Sequence, residues 1–115
     1  MTNLSVEDLV NRYVTRIEDW DANLGSAGKA NRIFDEMHQL STQLRMSADG
    51  RDAIETLLNC ASRAVRLDAA AVALEWVPEK AVPVLEALVS PRGTHSLSAQ
   101  MTLREFHAGR LKFDW

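Results

Sequence analysis

One segment, residues 63–76, constrains the fold more than any other part of the sequence. Alanine, valine, leucine and tryptophan surround nearly its whole helical circumference, and the polar residues are Arg63, Arg66, Asp68 and Glu75. A helix that is apolar on all sides has to be covered by neighbours on several sides. We therefore predict a helix here, at the centre of a single domain and packed against other elements.

Apolar side chains elsewhere in the chain recur in steps of three and four, the spacing of amphipathic helices. Glycine and proline mark the breaks, most clearly in the Ser90–Thr94 loop, and Asp49 is a candidate cap after a break at Ala48–Gly50. No segment shows the pattern of a strand. The predicted helices cover about residues 5–24, 26–48, 51–60, 63–76, 78–89 and 96–107. The apolar residues assigned to the sixth helix are Leu97, Met101, Leu103 and Phe106.

Consecutive amphipathic helices joined by short loops pair their apolar faces as antiparallel hairpins. The spacing predicts three such hairpins, at about residues 5–48, 50–76 and 78–107, followed by a tail at 108–115. Three units are about the number that a helical repeat needs to bury its faces. We therefore predict an all-α chain of 115 residues, a single domain built as a six-helix right-handed α-α superhelix.

The Val65–Leu88 block resembles a HEAT/armadillo-like repeat, in which a Val-Arg pair precedes a run of small residues and a leucine-rich helix follows. Together with Leu9-Val10-x-Arg12-Tyr13 and Asn31-Arg32-x-Phe34-Asp35, it is similar to a bacterial family known as domain of unknown function number 2019. The resemblance covers about residues 6–90 and implies a helical-repeat fold with no established activity. The last 25 residues depart from the repeat pattern.

Charge and cysteine content bound the class of protein. The chain has 13 basic and 16 acidic residues, a net charge of −3, and no basic run, which disfavours a dedicated nucleic-acid domain. Cys60 is the single cysteine, which favours a reducing compartment. The N-terminus lacks the features of a signal peptide, and no apolar run approaches the roughly 20 residues that span a bilayer. We expect a cytoplasmic protein without membrane contact.

Candidate metal and nucleotide chemistry is incomplete. Asp35 and His38 lie three residues apart on one helical face, which is half of a di-iron unit, but no second unit accompanies them. Gly25–Lys29 superficially resembles a phosphate-binding loop, but it lacks the required spacer and the following serine or threonine. We therefore predict no metal and no cofactor.

Catalytic chemistry is equally incomplete. Cys60 has no histidine near it in sequence, and we expect a small core residue there. A small-molecule enzyme would depend on Asp68 and Glu75, which otherwise form the exposed edge of the central helix. The prediction is that the protein is not an enzyme.

The candidate partner-binding residues are Arg63, Arg66, Trp76, Phe113 and Trp115. The two arginines share one face of an inner helix, where they could anchor an acidic partner; alternatively, Arg66 pairs with a carboxylate of the neighbouring repeat. Trp76 lies at the edge of an element, where tryptophan serves as an interface anchor or covers the rim of a core. The aromatic tail either folds back on the domain or docks on a second copy.

These features favour a non-catalytic protein-binding module, an adaptor or immunity-type helical-repeat protein, that is a monomer or a homodimer. The alternative is a HEAT-like protein that binds nucleic acid on a concave face lined by Arg63, Arg66, Arg104 and Arg110.

Overall fold

A computed structural model describes residues 5–113, which form six helices and no strand, as the all-α prediction requires. The helices are α1 Val6–Ala22, α2 Ala27–Leu44, α3 Ala48–Leu57, α4 Arg63–Ala73, α5 Pro78–Val89 and α6 Ser96–His107. None of the helices in the described range combines the length and the apolar character needed to cross a bilayer. The chain divides into two units, one ending at Thr56 and one beginning at Leu57.

In the first unit α1 packs against α2. Leu9, Tyr13 and Ile17 are buried on α1, four residues apart, so the predicted stripe is the buried face. The Trp20 and Phe34 rings lie 6.3 Å apart between their centroids. The buried residues of α2 are Ala30, Met37, Ser41 and Leu44.

The predicted break at Ala48–Gly50 is wrong, because α3 starts at Ala48. The Ser47 hydroxyl accepts a hydrogen bond from the Gly50 N–H at 3.0 Å and so caps the helix two residues before the expected Asp49. Gly50 is buried in the first turn, and a Cβ there would lie 1.8 Å from the Leu44 carbonyl oxygen. The glycine is therefore required by the close approach of the end of α2.

In the second unit α4 contacts both α5 and α6, and α5 packs against α6. The burial expected for α4 is confirmed, since most of its apolar side chains are inaccessible. The buried residues of α4 are Ala64, Val65, Leu67, Ala69, Ala70 and Ala73. At the other end of the unit, Gly109 adopts a left-handed φ of 74° just after α6, the conformation that favours glycine at a helix end.

Ser62 caps α4, because its hydroxyl accepts a hydrogen bond from the Val65 N–H at 3.3 Å. We expect Ser62→Ala to lower the free energy of unfolding by about 1 kcal/mol. Ser26, before α2, occupies the same cap position without a side-chain hydrogen bond, so Ser26→Ala is the matched control and should change little. Urea denaturation of the two variants checks this, and equal losses would show that the Ser62 hydroxyl does not stabilise α4.

Candidate functional site

Arg63, predicted to face a partner, is bound to backbone oxygens within its own unit. It is the first residue of α4 and is half-buried. Its Nε donates to the Thr94 carbonyl at 3.0 Å, and a terminal guanidinium nitrogen donates to the Leu88 carbonyl at 3.0 Å. The side chain therefore ties the start of α4 to the end of α5 and to the loop that follows it.

Ser96 shares the Leu88 carbonyl with Arg63. The buried Ser96 hydroxyl donates to the Leu88 oxygen at 2.7 Å and accepts from the Gly93 N–H at 2.8 Å. The two donors match the two lone pairs of a carbonyl oxygen. A Cβ on Gly93 would lie 3.3 Å from the Arg63 guanidinium, so the loop passes close to the arginine. We call Arg63, Leu88, Gly93 and Ser96 the Leu88 cluster.

Arg66 also binds backbone oxygens. Its guanidinium donates to the Cys60 carbonyl at 2.7 Å and to the Ala61 carbonyl at 3.1 Å, both in the turn before α4. Arg63 and Arg66 thus bind two different backbone segments. Cys60 was expected to be a small core residue. It is instead half-buried in this turn, which follows the end of α3.

The aromatic residues predicted to bind a partner do not belong to the Leu88 cluster. Trp76 is half-buried in the turn after α4, and Phe113 is half-buried near the end of the described chain. Neither belongs to the exposed large apolar side chains of the described residues. Trp115 lies outside the described residues.

Helix α6 exposes an apolar surface that the sequence prediction did not single out. Leu97 is 68% exposed and Met101, one turn later, is 54% exposed. Arg104 is also exposed and lies seven residues after Leu97. At about 100° per residue, the three side chains fall within about 60° of one another around the helix. We call Leu97, Met101 and Arg104 the α6 stripe.

The four apolar residues assigned to α6 divide between two faces. Leu103 and Phe106 are half-buried, on the side where Ser96 and Ala99 are buried. Phe106 follows Leu97 by nine residues, which places it about 180° away. The angle between Leu97 and Phe106 follows from the sequence alone. The prediction that all four residues belong to one apolar face is therefore wrong for Leu97 and Met101.

A cavity of about 310 Å³ opens beside the α6 stripe. Val89 and Leu97 give it apolar walls, and Arg92 lies exposed in the loop between α5 and α6. The remaining lining residues are Gly93, Ser96 and Gln100. Such a cavity can accept an apolar side chain from outside.

The sequence segment that contains the α6 stripe is basic although the chain as a whole is acidic. Residues 90–113 contain four bases against one acid, a net charge of +3, compared with −3 for the whole chain. The acid, Glu105, is paired with Arg110 at 2.5 Å. Within residues 5–113, the other three bases have no carboxylate partner; they are Arg92, Arg104 and Lys112.

A second groove, of about 540 Å³, lies between α1 and α2. Arg16 on one wall pairs with Asp19 at 2.6 Å and with Glu36 on the other wall at 3.4 Å. Ion pairs within the α1–α2 hairpin thus neutralise part of the charge that lines this groove. Across residues 5–113, no three histidine, cysteine or acidic side chains are grouped so that they could hold a metal ion.

Comparison with known proteins gives a family and a fold. The model of a family described as "Domain of unknown function (DUF2019)" matches residues 7–107. The crystal structure of the protein RPA1889 from Rhodopseudomonas palustris CGA009 is similar, with a TM-score of 0.87 and 29% sequence identity. The match covers 96% of this chain and 94% of that one. No curated protein matches the chain.

Proposed function

We propose that this chain, which belongs to the DUF2019 family, is a non-catalytic protein-binding module that binds its partner on the α6 stripe. The observation that carries the proposal is the exposure of Leu97 and Met101, one turn apart, beside a cavity lined in part by Val89 and Leu97. Full burial of a fully exposed side chain of this kind yields about 1.5–3 kcal/mol, and Leu97 and Met101 still have 68% and 54% of their surface to bury. Methionine and arginine are both enriched in protein interfaces.

The proposed module is an adaptor or immunity-type protein of a bacterial cytoplasm, a monomer or a homodimer, with a HEAT/armadillo-like superhelical arrangement. Two observations support the repeat arrangement: α4, α5 and α6 pack in chain order, and small residues fill the buried face of α4. The lone Cys60 supports a reducing compartment.

The nucleic-acid alternative depended on a face lined by four arginines. Arg63 and Arg66 donate to backbone carbonyls and Arg110 pairs with Glu105, which leaves Arg104 for a phosphate. These contacts count against the four-arginine face that the alternative requires. A DNA titration at low salt separates the two functions, since phosphate binding would weaken steeply as salt is added.

Affinity capture from the source lysate tests the protein-binding function. We expect the wild-type chain to retain one protein stoichiometrically and Leu97→Ser/Met101→Ser to retain at least tenfold less, because the apolar contact is lost. Met46→Ser is the matched control, since Met46 is 79% exposed in the turn after α2 and lies off the stripe. Mass spectrometry identifies the retained protein, and circular dichroism verifies that each variant is folded.

Three outcomes would reject this function. The wild-type chain could retain no protein, or the double variant could retain the same protein as strongly. Met46→Ser could also lose as much of the retained protein as the double variant does, which would mean that any exposed methionine adsorbs proteins and that the α6 stripe is not a specific binding surface.

A further inference from the structure

The α6 stripe has the length of one face of a short helix. From Leu97 to Arg104 the axis rises about 10 Å, or two turns. Two apolar side chains followed by a cation over this length match the spacing with which a partner helix presents its anchors, at i, i+3 or i+4, and i+7. A partner helix can therefore pack side by side against this face of α6.

The cavity adds an anchoring point at one end of the stripe. It is lined by Val89 and Leu97, next to the first residue of the stripe. Its volume of about 310 Å³ admits a single large apolar side chain. Interfaces concentrate their binding energy in such filled pockets.

The basic side chains beside the α6 stripe favour a partner of negative charge. Arg92 lies at the cavity, Arg104 closes the other end of the stripe, and the segment around them carries +3. Guanidinium groups bind carboxylates through paired hydrogen bonds, whereas a basic helix would be repelled. The basic surroundings therefore complement acidic residues flanking the apolar anchors of a partner.

We propose that the α6 stripe binds an acidic amphipathic helix of a partner protein, with one apolar side chain in the Val89–Leu97 cavity and carboxylates on Arg92 and Arg104. This inference rests on the proposed function and names the class of partner.

Selection of a displayed library of random 16-residue peptides against the full chain tests the inference. We expect enriched peptides to carry net negative charge and apolar residues at helical spacing, and to lose binding at least tenfold on Leu97→Ser/Met101→Ser. Arg92→Glu/Arg104→Glu should weaken the same peptides at least tenfold, and their affinity should fall with added salt. Arg32→Glu, an exposed charge reversal on α2, is the control and should leave binding within about twofold.

Enrichment of basic or non-helical peptides, binding that persists in the double serine variant, or no enrichment would overturn the inference. Sedimentation showing a dimer that Leu97→Ser/Met101→Ser dissociates would assign the stripe to a second copy and also overturn it. If lysate capture still depends on the stripe, the protein-binding function stands and the acidic helix alone is excluded. If capture also fails, both are excluded.

Discussion

Gly50→Ala is expected to lower the free energy of unfolding by about 3 kcal/mol or more. The added Cβ would lie 1.8 Å from the Leu44 carbonyl oxygen, 2.6 Å from its carbonyl carbon and 2.9 Å from its Cα. All three are backbone atoms, so no side-chain rotation relieves the overlap. The end of α2 or the start of α3 has to move. For a chain of this size the melting temperature should fall by roughly 10 °C.

Gly28→Ala is the control with the opposite sign. Gly28 is also helical, but a Cβ there meets nothing within 4 Å. Alanine should stabilise the helix by about 0.5–1 kcal/mol, because it restricts the unfolded chain more than glycine does. Urea denaturation followed by circular dichroism compares the two variants. Equal midpoints would contradict the close approach of α2 and α3.

Arg63→Ala is expected to destabilise the protein by about 1–2 kcal/mol, because it removes one charged hydrogen bond to the part-buried Leu88 carbonyl and one to the exposed Thr94 carbonyl, which water can replace. The Thr94 carbonyl loses the Arg63 Nε donor, whereas the Leu88 carbonyl keeps the Ser96 hydroxyl. Arg63→Lys should recover only part of the loss, since an ammonium group lacks the planar fork that reaches both oxygens.

Arg104→Ala serves as the control for Arg63→Ala. Arg104 is exposed in the same unit, and its removal should change stability by about 0.5 kcal/mol or less. Thermal and urea denaturation give both values. If Arg63→Ala were as stable as Arg104→Ala, the Arg63 guanidinium would be dispensable for folding and available for the anionic partner that the sequence suggested.

Local signals in the sequence predicted the helices well. Ser5 and Ser62 cap α1 and α4, because their hydroxyls accept hydrogen bonds from the Asp8 and Val65 N–H groups three positions further on. The start of α3 was placed wrongly because Gly50 resembles a helix breaker. Its actual role is steric and depends on how closely Leu44 approaches, which no local pattern records.

The candidate site was harder to predict because its contacts are distant in sequence. Arg63 was predicted to bind a partner, whereas it donates to the Leu88 and Thr94 carbonyls, which lie 25 and 31 residues further on. Periodicity does not show which backbone carbonyl a side chain will reach. The α6 stripe, in contrast, follows from helical angles alone, since Leu97 and Phe106 lie on opposite faces.

The Leu88 cluster also bears on how this family can diverge. Arg63 restricts the space at Gly93, and Arg63 and Ser96 divide one oxygen between them. A change at position 63 therefore alters which residues position 93 tolerates, and it leaves Ser96 as the side-chain donor to Leu88. The three positions form an epistatic set, in which the effect of each replacement depends on the other two. We expect DUF2019 relatives to retain or exchange them together, even where the surrounding loop has drifted.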